Sequence, residues 1–293
     1  MTGEQLIVAL GGGHGLATTL QAARLTGARV TAIVSVADDG GSSGRLRETF
    51  DIPAPGDLRR CLVALADPDS VWARAFDHRF GAGTGDLEGH AFGNLVITGL
   101  ADATGDFPGA LEEAARLLGV QGRVLPATSV PVVLKAWVGG QEVLGQVHVS
   151  DAEAPIEGVS IVPPDAPAPP EALTAIAQAD LVVLGPGSLF TSVLAACVVP
   201  AVADALAARS GGRVYVCNLR PQAHETDHHS AADHLAVLRD HGVPVDVMIY
   251  DPATMALGGP IDPSVRVIAA AVGRPDALGH DPLRLAAVLS ELT

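Results

Sequence analysis

Three glycine-rich segments each follow directly after a short apolar segment, and this arrangement constrains the fold more than any other feature of the sequence. The apolar segments end at Leu10, Val36 and Leu184, and their length and β-branched content predict buried strands. After the first and third of them a helix is predicted, which gives the strand–turn–helix order of an α/β protein. In a doubly wound, mostly parallel sheet, the carboxyl ends of such strands lie along one edge, where ligands bind. We therefore predict an α/β fold of this type with a ligand site at that edge.

The second glycine segment combines carboxylates, hydroxyls and arginines. Asp38 and Asp39 follow the strand, and Arg45 and Arg47 follow the glycines. Glycine lets the backbone approach a ligand, and Arg can hold phosphate or carboxylate through two parallel hydrogen bonds. A Gly-Ser turn alone is more often structural, but this combination favours a polyanion or nucleotide site. The backbone and hydroxyl donors that it offers are Gly40, Gly41, Ser42 and Ser43.

The first glycine segment, residues 11–15, has the position of a phosphate-binding turn, in which phosphate lies against backbone N–H groups at a helix N-terminus. A dinucleotide fingerprint fits it poorly, because the position of the third glycine is taken by Leu16. This mismatch disfavours an NAD-dependent oxidoreductase. Taken alone, the turn is equally compatible with a nucleotide site and with a plain tight turn. Its candidate contacts are Gly11, Gly12, Gly13, His14 and Gly15.

Two further polar segments are candidates for the same site. Asp57 begins a predicted helix over residues 57–66, where it is either the N-cap or a ligand contact. A flexible glycine-rich loop over residues 81–89 is a candidate lid. It leads to His90 and Asn94, which are four residues apart. These two side chains either point together at a ligand or cap the helix that follows.

The third glycine segment contains Gly185, Gly187 and Ser188. It lacks the Gly-x-Ser-x-Gly arrangement of hydrolases, so a phosphate or sugar contact is preferred over a nucleophilic serine, with helix capping as the structural alternative. Further along, His228 and His229 have no zinc-type spacing. A solvated loop is therefore favoured there over a metal site.

The middle of the chain has a different pattern. Residues 130–138 and 143–149 predict two strands joined by a hairpin at Gly139 and Gly140, and residues 159–162 predict a third strand. The proline-rich residues 163–170 are typical of a stiff linker. We predict a single α/β domain over residues 1–293, with a β-rich insertion over residues 122–163.

Charge and composition exclude several classes of protein. The formal net charge is −15 and Lys135 is the single lysine, which argues against general nucleic-acid binding. Apolar runs of about 18 residues are absent from the sequence, so no membrane span is predicted. The first five residues lack a signal-peptide pattern and the three cysteines lack metal-type spacing. We expect buried free thiols in a cytoplasmic protein, and the hydrophobic content of 48% leads us to expect a homodimer.

Several motifs together carry a resemblance to a known family. They are Gly11–Gly15, Ala37–Arg47, Pro55–Arg59, Gly89–Leu95, Leu125–Ala127, Gly185–Ser192, Glu225–Asp227 and Ala232–Leu235. This set resembles the YvcK family of putative gluconeogenesis factors in the CofD-like superfamily, over nearly the whole chain, although His14 stands where that family usually carries Thr. The resemblance implies a Rossmann-like fold, a cytoplasmic location and binding of UDP-sugars, notably UDP-N-acetylglucosamine. It also implies a role in cell shape and in growth on gluconeogenic carbon sources.

The related CofD enzymes are Mg²⁺-dependent phospholactyl transferases, and such a transferase is the alternative. Those enzymes typically carry Gly-Pro-Ser-Asn-Pro where this chain has Gly-Pro-Gly-Ser-Leu, so a non-catalytic regulator with a protein partner in cell-wall metabolism is preferred. Asp38 and Asp39 are predicted to hold Mg²⁺ or to accept sugar hydroxyls. One of Arg45, Arg47 and Arg59 is predicted to neutralise phosphate. The remaining candidate contacts are Asn218 and Thr226.

Overall fold

The computed structural model describes residues 5–276 and 279–292. The first four residues, which belong to the segment from which a cytoplasmic location is predicted, lie outside this range. The strands are β1 (Leu6–Gly11), β2 (Arg29–Val34), β3 (Arg123–Pro126), β4 (Val133–Val138), β5 (Gln141–Leu144), β6 (Ile156–Val162), β7 (Leu181–Leu184), β8 (Arg213–Val216), β9 (Val247–Tyr250) and β10 (Arg266–Ala269). The helices are α1 (Gly13–Leu25), α2 (Gly41–Phe50), α3 (Pro55–Leu65), α4 (Val71–Asp77), α5 (Phe92–Thr104), α6 (Phe107–Leu118), α7 (Gln146–Ser150), α8 (Pro170–Gln178), α9 (Ala195–Cys197), α10 (Pro200–Ala208), α11 (Ala231–Asp240) and α12 (Pro282–Ser290). A 3₁₀ turn (Gly85–Leu87) and a π-helical segment (Leu189–Leu194) complete the set.

The large sheet has seven parallel strands in the order β10-β9-β8-β7-β1-β2-β3. From β1 the chain moves outward through β2 to β3, and it later returns to β7 on the other side of β1 and moves outward to β10. The strand order therefore reverses between β1 and β7, which is where open α/β sheets form a ligand crevice. The predicted α/β class and the mostly parallel, doubly wound sheet are confirmed.

The core follows from the composition of the central strands. Residues 7–10 of β1 and residues 182–184 of β7 are fully buried. A continuous apolar run of this kind is typical of parallel strands that are covered by helices on both faces. Helix ends are set locally: Asp106 caps α6 by accepting the N–H of Gly109, and Ser230 and Asp233 form a capping box at α11.

The second sheet is antiparallel, in the order β5-β4-β6, and it confirms the predicted hairpin, since Gly139 and Gly140 have φ of +55° and +75°. Two of the predicted boundaries are wrong. Residues 123–126 form β3 of the large sheet. The β-rich unit therefore begins later than the predicted residue 122 and covers residues 133–162. The strand predicted over residues 143–149 ends at Leu144, because Gly145 has φ +96° and the helix α7 follows it.

The three cysteines are buried and unpaired, as predicted. Burial raises the pKa of Cys197 and of Cys217 to about 12, so both are unreactive thiols at neutral pH. Within the described residues, no single helix has the length and apolar content that crossing a membrane needs. One bent pair of segments, Leu189–Cys197 and Pro200–Ala208, passes that test together, with an angle of 78° between them.

Candidate functional site

The glycine turns after β1 and β7 lie in direct contact at the reversal of strand order. Thr19 Oγ1 in α1 donates a hydrogen bond of 2.6 Å to the carbonyl of Gly185. A Cβ atom at Gly15 would lie 2.1 Å from the carbonyl oxygen of Pro186, so this backbone approach requires glycine. The convergence predicted from the three strand ends is thus observed for the first and third turns.

Asp57 connects the first turn to α3. The sequence offered an N-cap as one interpretation, and that one is wrong, because α3 begins at Pro55 with Ala54 as its N-cap. One carboxylate oxygen of Asp57 instead accepts the N–H of Gly13 at 2.7 Å, and the other accepts Nη1 of Arg60 at 2.6 Å. Burial raises the pKa of Asp57, and the hydrogen bonds from Arg60 and Gly13 oppose that rise.

Ser42, in the first turn of α2, forms hydrogen bonds with two residues that were predicted to contact a ligand. Its Oγ lies 3.1 Å from His90 Nδ1 and accepts Asn94 Nδ2 at 3.0 Å, so neither His90 nor Asn94 caps α5. The network assigns the Ser42 hydroxyl proton to His90 Nδ1, which places the imidazole proton on Nε2. Burial lowers the pKa of His90, with contributions from Arg45 and Arg79, so the ring is neutral at pH 7.

Replacing Ser42 by alanine is expected to lower the free energy of unfolding by about 1–2 kcal/mol, because His90 and Asn94 are both left without a buried partner. Chemical denaturation measures the change. Thr174→Ala on the exposed surface of α8 is the control and is expected to change the value by less than about 0.5 kcal/mol. Equal stability of the Ser42 and Thr174 variants would contradict the assigned network.

The sequence predicts a Mg²⁺ site at Asp38 and Asp39, and the structure gives these two carboxylates different hydrogen-bond partners. The two carboxylate oxygens of Asp39 accept the N–H groups of Gln146 (3.0 Å) and Val147 (2.9 Å), which belong to the unit of residues 133–162. Asp38 accepts the N–H of Gly40 at 2.9 Å. Among the described residues, no group of three or more His, Cys, Asp or Glu side chains could hold a metal ion. Mg²⁺ is usually held by one or two carboxylates together with the phosphates of a ligand, so the Mg²⁺ site at this pair stays a prediction.

A polar cavity of about 300 Å³ lies between the loop after β2 and the first turns of α2 and α3. It is lined by Gly13, Asp38, Gly40, Gly41, Ser42, Ser43, Gly56, Asp57, Arg59, Arg60, Arg79, Asn94, Gln146 and Ser192. Three of these side chains have a buried polar atom without a partner in the described part of the chain: Arg59 Nε, Asn94 Oδ1 and Gln146 Oε1. Buried polar atoms in native proteins nearly always have partners, so these atoms make the cavity the candidate ligand site.

Other predicted contacts lie outside this polar cavity. Arg45 is exposed and donates to the carbonyl of Glu88 at 2.8 Å, which fastens the loop over residues 81–89. Arg47 also lies outside it, although its Nη1 is buried without a partner in the described structure. His14, Gly187 and Asn218 line a second cavity of about 200 Å³ on the other side of the first turn.

The turn after β7 is held by a side-chain network. Asn218 accepts the N–H of Gly187 at 3.0 Å, and Gln222 donates to Ser188 Oγ at 3.2 Å. Thr226 Oγ1 accepts the N–H of Gln222 at 2.9 Å. Asn218 also donates to Gln222 Oε1 at 3.0 Å, so Ser188, Asn218 and Thr226 all hydrogen-bond with Gln222 and stabilise this turn.

Sequence reasoning missed five residues of the polar cavity: Gly56, Arg60, Arg79, Gln146 and Ser192. Arg60 carried a signal, since it adjoins Arg59 and lies one helical turn after Asp57. Arg79, Gln146 and Ser192 belong to three different segments, and their proximity arises only from the tertiary fold.

A larger cavity of about 480 Å³ opens between α1 and the amino ends of β1, β2 and β3. It lies at the edge opposite to the glycine turns. Ligands of open α/β sheets bind at the carboxyl ends of the strands, so the polar cavity is the better candidate site.

Comparison with known proteins shows which family the chain belongs to. The family described as 2-phospho-L-lactate transferase CofD matches residues 7–257. The chain belongs to the CofD-like family. Within it, the chain is 45% identical to a putative gluconeogenesis factor of Mycobacterium tuberculosis (97% of this chain and 89% of the relative) and 42% identical to the gluconeogenesis factor of Bacillus subtilis (80% and 74%). A crystal structure of a UPF0052 family member from Bacillus halodurans superposes with a TM-score of 0.90 at 35% identity, covering 99% of both chains. These matches confirm the resemblance found in the sequence.

Proposed function

We propose that this CofD-like protein binds a nucleotide-sugar, with UDP-N-acetylglucosamine as the expected ligand, at the polar cavity. The observation that supports this most is the set of unpartnered buried atoms there: one guanidinium donor, Arg59 Nε, and two amide acceptors, Asn94 Oδ1 and Gln146 Oε1. A phosphate would accept from the arginine, and sugar hydroxyls or an amide N–H would donate to the amides. A phosphorylated sugar carries both kinds of group.

Local charge favours an anion at this cavity even though the whole chain carries −15. The charged side chains that line the cavity are three arginines, Arg59, Arg60 and Arg79, and two carboxylates, Asp38 and Asp57. In addition, α2 begins at the cavity with Gly40 as its N-cap, a residue without a side chain that could accept the first N–H groups of the helix, and a phosphate would accept them instead. The neighbouring cavity beside His14 offers room for the remainder of a nucleotide-sugar.

The proposed role is that of a cytoplasmic regulator which senses the nucleotide-sugar and adjusts cell-wall precursor supply and gluconeogenic growth. Relatives named gluconeogenesis factors support this role. A Mg²⁺-dependent transferase is the second candidate, because the matching family is described by a transferase activity.

A thermal-shift titration with UDP-N-acetylglucosamine, GDP and NAD, each with and without Mg²⁺, tests the proposal. The regulator is expected to be stabilised by UDP-N-acetylglucosamine, and mass spectrometry is expected to recover that ligand intact. A preference for GDP with Mg²⁺, or a cleaved ligand, would favour the transferase. A response to NAD alone would exclude both.

A further inference from the structure

The unit of residues 133–162 reaches the polar cavity through α7, the short helix that follows β5. Asp39 binds this helix by accepting the N–H groups of Gln146 and Val147. Gly145, which precedes the helix, has φ +96°, and a Cβ atom there would lie 2.5 Å from the carboxylate of Asp39. The contact is therefore a specific one that a side chain at residue 145 would prevent.

The same unit is attached to the rest of the protein at a second point. His241, which follows α11, has its Nδ1 2.7 Å from the carbonyl of Val237, so that nitrogen carries the proton. Its Nε2 is then free to accept the N–H of Val159 in β6 at 3.0 Å. Because α7 and β6 are both hydrogen-bonded to residues outside the unit, Gln146 is held in a defined position.

Gln146 is the residue that this unit contributes to the cavity wall. Its backbone N–H is used by Asp39, while its side-chain Oε1 is buried and has no partner within residues 5–276 and 279–292. A carboxamide oxygen accepts hydrogen bonds and cannot donate them. Phosphate oxygens offer no hydrogen to such an atom, whereas the hydroxyl groups of the ribose and of the attached sugar, and an acetamido N–H, do.

We propose that Gln146 is a specificity-determining residue that accepts a hydrogen bond from the sugar of the bound nucleotide-sugar, so that residues 133–162 distinguish the nucleotide-sugar from the nucleotide alone. This inference rests on the proposed function. It assigns to the β-rich unit a direct part in ligand selection, whereas Arg59, Arg60 and Arg79 bind phosphate, which both ligands share.

Isothermal titration calorimetry of wild type and Gln146→Met with UDP-N-acetylglucosamine and with UDP tests it. Methionine has a similar length and lacks the amide. The variant is expected to bind UDP-N-acetylglucosamine about 10- to 100-fold more weakly and UDP within about 3-fold of wild type. Without ligand, its melting temperature is expected to equal or exceed that of wild type, because an unpaired buried acceptor has been removed. A merely structural role for Gln146 would lower it. Gln141→Met, at an exposed position of β5, is the matched control and is expected to match wild type in all three measurements.

The outcomes separate the two claims. If wild type binds UDP-N-acetylglucosamine and Gln146→Met binds it equally well, the role of Gln146 is overturned while the proposed function stands. An equal loss of affinity for UDP and UDP-N-acetylglucosamine would also overturn it, since the residue would then not read the sugar. If wild type binds neither ligand, the proposed function fails as well.

Discussion

Arg59→Met is expected to weaken the binding of UDP-N-acetylglucosamine by about 100-fold or more, which corresponds to about 2.7 kcal/mol. The guanidinium is buried in the wall of the polar cavity, and its Nε has no partner in the described structure. Burial lowers the pKa of Arg59 and the ion pair with Asp77 opposes this, so the group stays charged at neutral pH. A charge-assisted hydrogen bond to phosphate in such a place is strong, and methionine cannot replace it. Calorimetry measures the affinity.

The variant is expected to stay folded, because its ion-pair partner Asp77 has a side chain that is 65% exposed and remains hydrated without the arginine. A denaturation curve checks this. Arg116→Met, which removes a guanidinium that is 75% exposed on α6, is the control and is expected to leave the affinity unchanged. Wild-type affinity in a folded Arg59→Met protein would mean that the phosphate lies elsewhere.

Acid is expected to destabilise the protein strongly between pH 6.5 and pH 4 through two buried histidines. Burial lowers the pKa of His234 to about 4, and it lowers that of His280 to about 4 as well. His234 Nδ1 lies 2.7 Å from the hydroxyl of Tyr215, and His280 Nε2 lies 3.1 Å from the carbonyl of Cys217. Both rings therefore sit neutral in the core.

The sign follows from proton binding. Between pH 6.5 and pH 4 the unfolded chain has these histidines protonated while the folded protein does not, so stability is lost as the pH falls through this window. The loss is roughly 3 kcal/mol for each histidine once the pH is below both pKa values.

Chemical denaturation from pH 4 to pH 7 measures this dependence. His234→Gln and His280→Gln are each expected to flatten the decline, whereas His228→Gln at an exposed loop position is expected to follow wild type. A wild-type slope in both buried-site variants would show that other groups govern the acid response.

The class of fold could be predicted because the signals for it are local. Apolar strands that end at Leu10, Val36 and Leu184 and continue into glycines leave few arrangements other than a parallel sheet with its turns at one edge. The signal for the hairpin at Gly139 and Gly140 is local in the same sense. Residues 123–126, which form β3, fall inside the predicted β-rich insertion, because four residues carry no information about which sheet they pair with.

The roles of single residues in the site were harder to predict, because each depends on a distant partner. Asp57 is a residue type that often caps helices, but the helix begins two residues earlier, at Pro55. The Asp57 carboxylate therefore accepts the N–H of Gly13 in the turn after β1. Asp39 looks identical to Asp38 in the sequence, yet it binds a helix 107 residues away. No local pattern separates such neighbours, because the difference lies in what the tertiary fold brings against them.

Whether the polar cavity binds a nucleotide-sugar is decided by a crystal structure of the protein with UDP-N-acetylglucosamine at a concentration that calorimetry shows to be saturating. We expect the diphosphate beside Arg59 and the start of α2, with sugar hydroxyl or amide groups within hydrogen-bonding distance of Asn94 and Gln146. A ligand bound elsewhere, with Arg59, Asn94 and Gln146 still unpartnered, would contradict it, as would the absence of binding in the calorimeter.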